Sequence, residues 1–306
     1  METPLVSISC LVYNHEPFLR ECFEGFMMQK TNFPFEVLVH DDASTDKSAE
    51  IIREYTAKYP DIFKPIYQTE NQYSKGVKVS ATFNFPRAKG KYIALCEGDD
   101  YWTDPLKLQK QVDFLENNPD HVMCSHRFMV YNQNDKTLKK DWLPFSEKEN
   151  FHYDLEYFIQ RKEWVTQPLT ILFRTSALDV EHYSLYAKSK DVTLMYSLLR
   201  KGKGVMLKDM MGVYRIHSGG IWQGATKASQ IKAEGETSLG IYEVEKDKIS
   251  ATLLKNSIEA FGGYLGVSFF KANIILYIRI LCVMYKEFGF ETGFNFMCKT
   301  CNYFRR

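Results

Sequence analysis

The sequence lacks several features that would assign a class of protein at once. No apolar run reaches the roughly 18–20 residues that a membrane-spanning helix needs. No signal peptide is evident, because Met-Glu-Thr-Pro leads straight into a strand-like run. The net charge is only +1, which argues against nucleic acid as a partner. No internal repeat or low-complexity tract is present, so the composition predicts an ordinary globular protein.

Cysteine is present, but in a pattern that argues against a disulfide framework. The seven cysteines are odd in number, and several lie inside apolar runs. This pattern is typical of free buried thiols and predicts a reducing, cytoplasmic location. Cys298 and Cys301 form a CxxC pair without a second pair or a nearby histidine. Because structural zinc needs four ligands, we do not predict a zinc site there.

Short apolar runs alternate with segments of helical period in the first hundred residues. This order implies parallel strand pairing with right-handed crossovers. We therefore predict an α/β fold with a mostly parallel, twisted central sheet flanked by helices. The predicted strands are Val6–Val12, Phe35–Val39, Ile62–Gln68 and 92–96, and the predicted helices are Pro17–Met28, Ser44–Tyr59 and Thr82–Ala88.

The remainder of the chain continues this pattern and then becomes helix-prone. We predict a polar and aromatic excursion over 132–163 and a helical C-terminal extension from about residue 226. The other predicted elements are a helix from Asp104 to Asn117, strands His121–Tyr131 and Leu169–Arg174, a helix Val192–Arg200 and an extended segment Val205–Tyr214.

An acidic segment follows the strand predicted at 92–96. Glu97, Asp99 and Asp100 lie within four residues, with a glycine among them. Carboxylates this close raise each other's pKa unless a cation shares them. Mg²⁺ or Mn²⁺ is the natural partner, and such ions commonly hold substrate phosphates. The alternative is a solvated loop that caps the next helix.

Polar motifs at other strand ends complete a recognisable set. They are Tyr13-Asn14, the run from Asp41 to Asp46, and Asp191 followed downstream by Arg215-Ile-His217-Ser-Gly-Gly. With the acidic segment they resemble the family 2 glycosyltransferases, which carry the A-type nucleotide-sugar (GT-A) fold. The resemblance covers roughly residues 4–220, and rests on the order and spacing of several motifs.

The resemblance implies a nucleotide-sugar site built from the first two strand ends. Tyr13 and Asn14 match the positions that hold the base and ribose. Asp42 matches the acidic residue that accepts a hydrogen bond from the uracil ring N–H, as an acceptor-only carboxylate can. Many relatives also carry an arginine that contacts the diphosphate. Here the matching stretch offers no obvious equivalent, and the sequence leaves Lys75, Lys78 and Arg87 as alternatives.

The resemblance also implies a metal site and a catalytic base. Glu97, Asp99, Asp100 and His217 match the metal-binding positions, although Glu97 replaces the usual first aspartate of the DxD motif. Asp99 matches a ribose or metal contact, and His217 a metal or diphosphate contact. Asp191 matches the base that takes the proton of the acceptor hydroxyl; read alone, it is a helix N-cap.

Two further residues have open assignments. Arg215 could pair with a phosphate in a two-pronged contact or form a structural salt bridge. Trp102 follows the acidic segment and could stack on the acceptor sugar, although most tryptophans are largely buried. For His217, the alternative to the metal role is a core histidine.

The resemblance implies an inverting, metal-dependent transferase that moves a sugar from a UDP-sugar to a glycan acceptor, in surface polysaccharide assembly. It places a catalytic domain at 1–225, with a nucleotide-sugar half (1–104) and an acceptor half (105–225), before a helical region at 226–306. That region is basic and apolar, so we expect it either to bind the inner face of the membrane near a lipid-linked acceptor or to pack on the core. A homodimer through these helices stays open.

Two other functions are compatible with parts of this pattern. A nucleotidyltransferase would favour a glycine-rich, lysine-bearing loop after the first strand, and the turn from Tyr13 to Pro17 has neither residue type. A non-catalytic glycan-binding scaffold would be favoured by loss of the acidic residues. Asp42, Asp99, Asp100 and Asp191 are all present, which favours an enzyme.

Overall fold

A computed structural model describes residues 2–160, 165–188, 190–220, 226–261 and 273–302. Within these ranges the side chains of residues 227, 261 and 298–302 are not described. The chain divides into two compact units. The first comprises Met1–Asp154, Val165–Ser184 and Ser197–His217, and the second comprises Leu155–Trp164, Leu185–Tyr196 and Ser218–Arg306. The CxxC pair predicted not to bind zinc lies outside the described side chains.

The first unit is built around a 10-stranded mixed sheet. Its strand order is β3-β2-β1-β4-β9-β6-β10-β5, with β7 paired to β6 and β8 paired to β10. The strands are β1 (Val6–Val12), β2 (Phe35–Asp41), β3 (Phe63–Tyr67), β4 (Tyr92–Leu95), β5 (Tyr101–Trp102), β6 (His121–Asn132), β7 (Thr137–Lys140), β8 (Phe151–Tyr153), β9 (Leu172–Arg174) and β10 (Lys203–Ile216).

Helices flank this sheet and form the second unit, which confirms the predicted α/β class with a helical C-terminal extension. They are α1 (Glu16–Met27), α2 (Ser48–Lys58), α3 (Lys107–Asn117), α4 (Leu155–Ile159), α5 (Val180–Tyr183), α6 (Asp191–Leu199), α7 (Lys227–Glu245), α8 (Lys248–Phe261) and α9 (Ile274–Asn302).

Strands β1 to β4 pair in parallel, as their alternation with helices predicts. Beyond β4 the sheet is mixed: β9 is antiparallel to β4 and β6, whereas β6 and β10 are parallel. The side chains of β1 are buried on both sheet faces, as expected for a strand covered by helices. Because β1, β2 and β4 are parallel, their C-terminal ends meet at one edge of the sheet.

The helix predicted at Thr82–Ala88 is wrong. The segment forms a π-helical turn, Ser80–Asn84, and then a 3₁₀ turn, Phe85–Arg87. Pro86 has no N–H to continue an α-helix. The Asn84 amide instead donates to Ser9 Oγ and to the Leu38 carbonyl, both at 3.0 Å.

This turn also engages one of the three cations left open for the diphosphate. The Arg87 guanidinium donates to the carbonyls of Lys64 and Val39 and to Asn84 Oδ1, at 2.7–3.0 Å. It therefore ties the turn to β2 and β3, and Arg87 is corrected from a candidate phosphate ligand to a structural residue.

Strand β5 was not predicted, and it decides between the two roles left open for Trp102. Trp102 pairs with Gly212 of β10 and is 2% exposed. Its indole N–H donates to the Leu169 carbonyl at 2.9 Å, and its ring packs edge-on against Phe26. This corrects the stacking role predicted for Trp102, because an enclosed ring offers no face to an acceptor sugar.

Lys107 is buried in the core of the first unit. Its Nζ lies 3.6 Å from the Trp102 ring centroid and, among the described residues, has no hydrogen-bond partner. Burial lowers the pKa of Lys107 to about 7. An ammonium in this position is stabilised by the ring face but has lost its hydration.

We expect this lysine to make the stability of the protein depend on pH. A lysine whose pKa is lower in the folded state lets the unfolded state bind more protons, so stability rises with pH between about 7 and 10. Between pH 7 and pH 9 the free energy of unfolding should rise by roughly 2–3 kcal/mol through this group. Lys107→Met should be more stable at pH 7 and should lose that rise. Urea unfolding of both proteins at the two pH values measures the difference, and parallel curves would contradict the prediction.

The second unit has its own core, formed where α7, α8 and α9 pack together. Leu239, Leu254, Ile258 and Met284 are among its buried side chains. Gly289, with φ of 81°, interrupts α9. Among the helices that the structure describes, none combines the length and the apolar character needed to cross a membrane.

Candidate functional site

The loops after β1 and β2 interlock at the C-terminal edge of the sheet. The Asn14 backbone N–H donates to Ser44 Oγ at 2.9 Å, and Asn14 Oδ1 accepts from the Thr45 N–H at 2.7 Å. Asn14 and Ala43 have φ of 55° and 62°, a conformation that side chains rarely adopt. Such strain is often kept where a loop must present a binding surface. Tyr13 is 45% exposed beside these loops.

Asp42 is buried and orders a neighbouring loop. Its Oδ1 accepts the Gln72 N–H at 2.7 Å, and its Oδ2 accepts the Tyr73 N–H at 3.0 Å. Each carboxylate oxygen keeps a second lone pair, so the contact with a uracil N–H stays a prediction. The structure also gives Asp42 a structural role, because its two hydrogen bonds hold in place the segment that leads to Lys75 and Lys78.

Those two lysines have partners in the structure. Lys75 is half exposed and pairs with Glu70 on its own loop. Lys78 donates to the Ser184 carbonyl, and burial lowers its pKa. An exposed pair between long side chains is worth little, so Lys75 is the more readily redirected to a phosphate.

The carboxylates of the acidic segment point to different places. Glu97 is exposed, whereas Asp100 is 3% exposed and accepts the Arg215 backbone N–H at 2.8 Å. Burial, reinforced by the charge of Asp99, raises the pKa of Asp100 well above its usual range. Asp100 therefore ties β10 to the acidic segment.

Asp99 lies between two histidines. Its Oδ2 is 3.1 Å from His217 Nε2 and 3.8 Å from His15 Nε2. Burial opposes ionisation of Asp99, but the hydrogen bond with His217 and the nearby His15 hold its pKa below the usual range. Among the described residues, Oδ1 of Asp99 is buried without a hydrogen-bond partner. An ionised carboxylate with one free buried oxygen is a natural ligand for a hard cation.

His15 was missed by the sequence analysis, although it directly follows the Tyr13-Asn14 motif. Burial lowers the pKa of His15 and favours a neutral ring. Gly98 permits its position, because a Cβ at residue 98 would lie 2.8 Å from His15 Nδ1. The glycine of the acidic segment is therefore explained by its packing against His15, which the spacing of the carboxylates in the sequence does not reveal.

Arg215 supports the acidic segment through hydrogen bonds. Its Nε donates to the Asp99 carbonyl at 2.8 Å, and its two terminal nitrogens bond to Gln133 and Glu21. The guanidinium also lies 4.9 Å from the Phe18 ring centroid, and Arg215 is 6% exposed. Of the two roles left open for Arg215, this arrangement favours the structural salt bridge over the phosphate contact, because Gln133 and Glu21 already bind both terminal nitrogens of the guanidinium.

The predicted metal set stays a prediction. Within the described part of the chain, no three His, Cys, Asp or Glu side chains are arranged to hold a metal ion. The four predicted ligands, Glu97, Asp99, Asp100 and His217, therefore do not form a preformed cage. Among the described residues, Asp99 has a buried oxygen without a hydrogen-bond partner, which fits the chemistry of a metal ligand. Nucleotide-bound metal ions are commonly held by one or two carboxylates together with phosphates and water, and Asp99 suits that arrangement.

Asp191 belongs to the second unit and begins α6. Loss of hydration raises its pKa to about 6, with Glu234 raising it further and Lys190 opposing the shift. Asp191 keeps access to solvent at the helix start, so its loss of hydration is partial. Thr193 Oγ1 accepts the Lys190 N–H at 3.0 Å, so a side chain other than Asp191 supports this first turn. A carboxylate with a pKa near neutrality is suited to take a proton.

Comparison with known proteins gives a consistent result. The family model described as Glycosyl transferase family 2 matches residues 7–180. An uncharacterized protein of Mycobacterium tuberculosis is 37% identical over 227 residues, which are 72% of this chain and 61% of the relative. The chain thus spans about 61% of the length of that relative. TuaG of Bacillus subtilis, a putative teichuronic acid biosynthesis glycosyltransferase, is 24% identical over 74% of this chain and 85% of its own.

Solved structures share the fold. Residues 1–349 of Staphylococcus aureus TarS, crystallised with UDP-GlcNAc, match with a TM-score of 0.67 at 17% identity, over 98% of this chain and 89% of TarS. A Pyrobaculum calidifontis mannosyltransferase in complex with GDP-Man and Mn²⁺ matches with a TM-score of 0.50 at 14% identity, over 99% of this chain and 88% of its own. At these identities the likeness establishes the architecture alone.

Proposed function

Since the chain belongs to glycosyl transferase family 2, we propose that it is an inverting, metal-dependent glycosyltransferase that moves a sugar from a UDP-sugar to a hydroxyl of a glycan acceptor. The observation that carries the proposal is the environment of the Asp99 carboxylate. The pKa of this carboxyl is held below the usual range, and one of its oxygens is buried and lacks a hydrogen-bond partner among the described residues, at the sheet edge where the loops of Asn14 and Asp42 meet. This is the edge at which open α/β sheets bind ligands.

The residues divide the work of the reaction. Asp42 accepts the uracil N–H, while Tyr13 and Asn14 border the base and ribose. Asp99 would hold Mn²⁺ or Mg²⁺, and His217 would fix the orientation of its carboxylate. The metal ion would neutralise charge on the diphosphate leaving group. Lys75 is our candidate for an additional diphosphate contact.

Asp191 acts as the general base in this proposal. It removes the proton from the acceptor hydroxyl while that oxygen attacks the anomeric carbon and the bond to the diphosphate breaks. A single displacement inverts the anomeric centre and needs no covalent sugar–enzyme intermediate. The proton ends on Asp191, and the electron pair of the broken bond stays with the diphosphate.

The finer assignments have separate support. A UDP donor is supported by the acceptor chemistry of Asp42 and, as fold analogy, by TarS crystallised with UDP-GlcNAc. A role in surface polysaccharide assembly is supported by the resemblance to TuaG. We also propose a cytoplasmic site of action, a lipid-linked acceptor, and the division into donor and acceptor halves at 1–104 and 105–225.

Calorimetric titration with UDP and with GDP, each with and without Mn²⁺, tests the donor and metal assignments. We expect UDP to bind only with the metal, and GDP to bind much more weakly. Asp99→Asn serves as the control, and we expect it to lose the metal-dependent binding of UDP. Metal-independent binding, or no binding of either nucleotide, would contradict the proposed site and favour a glycan-binding scaffold.

A further inference from the structure

An exposed tyrosine lies on the loop that Asp42 holds in place. Residues Tyr73–Lys75 form a 3₁₀ turn after β3, and Tyr73 is 55% exposed. Among the described residues, no other aromatic ring packs against the Tyr73 ring. A single exposed aromatic side chain is common on protein surfaces. Its meaning therefore depends on how the fold presents the ring and on what lies beside it.

Hydrogen bonds within the turn fix the backbone that carries this ring. Asn71 Oδ1 accepts the Ser74 N–H at 2.7 Å, and Ser74 Oγ donates to the Asn71 carbonyl at 2.9 Å. The Gly76 N–H donates to the Tyr73 carbonyl at 2.9 Å and closes the turn. Gly76 has a φ of 78°, which favours glycine. Because the backbone is already ordered, a ligand that packs on the ring pays little additional entropy.

The turn is bonded directly to the carboxylate that we assign to the base. The N–H groups of Gln72 and Tyr73 donate to the two oxygens of Asp42, at 2.7 Å and 3.0 Å. The Asp42 N–H donates in turn to the Val12 carbonyl at 2.9 Å, and Tyr13 follows Val12 in the chain. Asp42 is therefore bonded on one side to the segment that leads to Tyr13, and on the other side to the turn of Tyr73.

The strand order leaves room for a base between the two tyrosines. Strand β2 leads to Asp42 and lies between β1, which leads to Tyr13, and β3, which leads to Tyr73. Neighbouring strands are about 4.8 Å apart, so the ends of β1 and β3 are about 10 Å apart. A planar base with an aromatic ring on each face, at contacts of about 3.5 Å, needs about 7 Å from ring to ring. The strand ends can therefore bracket a base beside Asp42.

We infer that the Tyr73 ring stacks on the uracil of the bound donor, on the face opposite Tyr13, while Asp42 accepts the N–H at the edge of the base. This inference rests on the proposed UDP-sugar donor and adds a residue to its base site. An aromatic ring stacks on any base, so Tyr73 supplies affinity and the hydrogen bond to Asp42 supplies discrimination. Enclosure of the base also shields that hydrogen bond from water, which strengthens it.

Calorimetric titration of the full chain with UDP and with UMP, each in the presence of Mn²⁺, tests the inference. Tyr73→Ala should weaken the binding of both nucleotides by about tenfold, because the two share the base. The substitution keeps the backbone N–H that binds Asp42, so the turn is retained. Tyr73→Phe keeps the ring and should bind both nucleotides as tightly as the wild type does.

Tyr67→Ala is the matched control for this substitution. Tyr67 ends β3 and is also an exposed tyrosine, at 37%, but its ring already lies 5.0 Å from the Arg53 guanidinium. We expect UDP to bind Tyr67→Ala as it binds the wild type. Thermal unfolding of each variant verifies that a change in affinity does not come from a loss of the fold.

The possible results separate this inference from the proposed function. Equal UDP binding by wild type and Tyr73→Ala would overturn the inference and leave the proposed donor in place. A loss confined to UDP would assign Tyr73 to the diphosphate, and Tyr73→Phe as weak as Tyr73→Ala would assign the contact to the hydroxyl; either result contradicts stacking. Wild-type protein that binds neither nucleotide would overturn the proposed donor, and the base contact with it.

Discussion

Asp99→Asn is expected to lower the rate of sugar transfer by about 10²–10³-fold and to abolish the metal-dependent binding of UDP. The asparagine keeps the size of the side chain, and its carbonyl can still accept the hydrogen bond from His217. It loses the negative charge, and it places either an amide or an uncharged carbonyl at the position of Oδ1, which is buried and has no hydrogen-bond partner in the described part of the wild-type chain. A hard cation binds such a group far less well than a carboxylate.

Asp100→Asn is the matched control for this substitution. The two residues are adjacent and chemically identical, but Asp100 accepts the Arg215 backbone N–H, and an asparagine carbonyl can accept the same hydrogen bond. We therefore expect Asp100→Asn to keep most of the metal-dependent UDP binding. Calorimetry with UDP and Mn²⁺ compares the two variants directly. If Asp100→Asn lost the binding and Asp99→Asn kept it, the roles of the two carboxylates would be reversed.

The sequence was sufficient to predict the part of the fold whose signals are local. The alternation of strands and helices predicts β1 to β4 and their parallel pairing, because the apolar periodicity is set by residues close in the chain. Strand ends follow from those strands, and parallel strands end at the same edge of a sheet. The sequence pattern alone therefore predicts that Asn14, Asp42 and Asp99 share one edge.

The direction of each side chain could not be predicted, because distant residues decide it. Trp102 is enclosed when β5 pairs with β10, more than one hundred residues later in the chain. Arg215 turns inward because Glu21 and Gln133 meet its guanidinium, and neither is near it in sequence. A motif can therefore identify a position at the site while leaving undecided whether its side chain contacts the substrate or supports a neighbour.

Asp191→Asn is expected to abolish transfer almost completely while leaving UDP binding intact. The asparagine cannot accept the proton of the acceptor hydroxyl, and loss of a general base costs typically about 10²–10⁴-fold in rate. Asp191 lies in a different unit from Asp42 and Asp99, so the donor site need not change. Single-turnover transfer and calorimetric UDP binding separate the two effects. Unchanged turnover would remove Asp191 as the base, and lost UDP binding would point to a structural role.

The pH dependence of transfer gives a sharper test of the same residue. With a pKa of about 6, Asp191 is protonated at low pH and cannot act as a base, so kcat/KM should rise with pH through about 6 and then level off. Glu234 raises this pKa and Lys190 lowers it. Glu234→Gln should therefore move the rise to lower pH, and Lys190→Gln should move it to higher pH. Neither side chain is proposed to touch the donor, so opposite shifts identify the titrating group as Asp191. If both variants kept the wild-type profile, the rise would belong to another group.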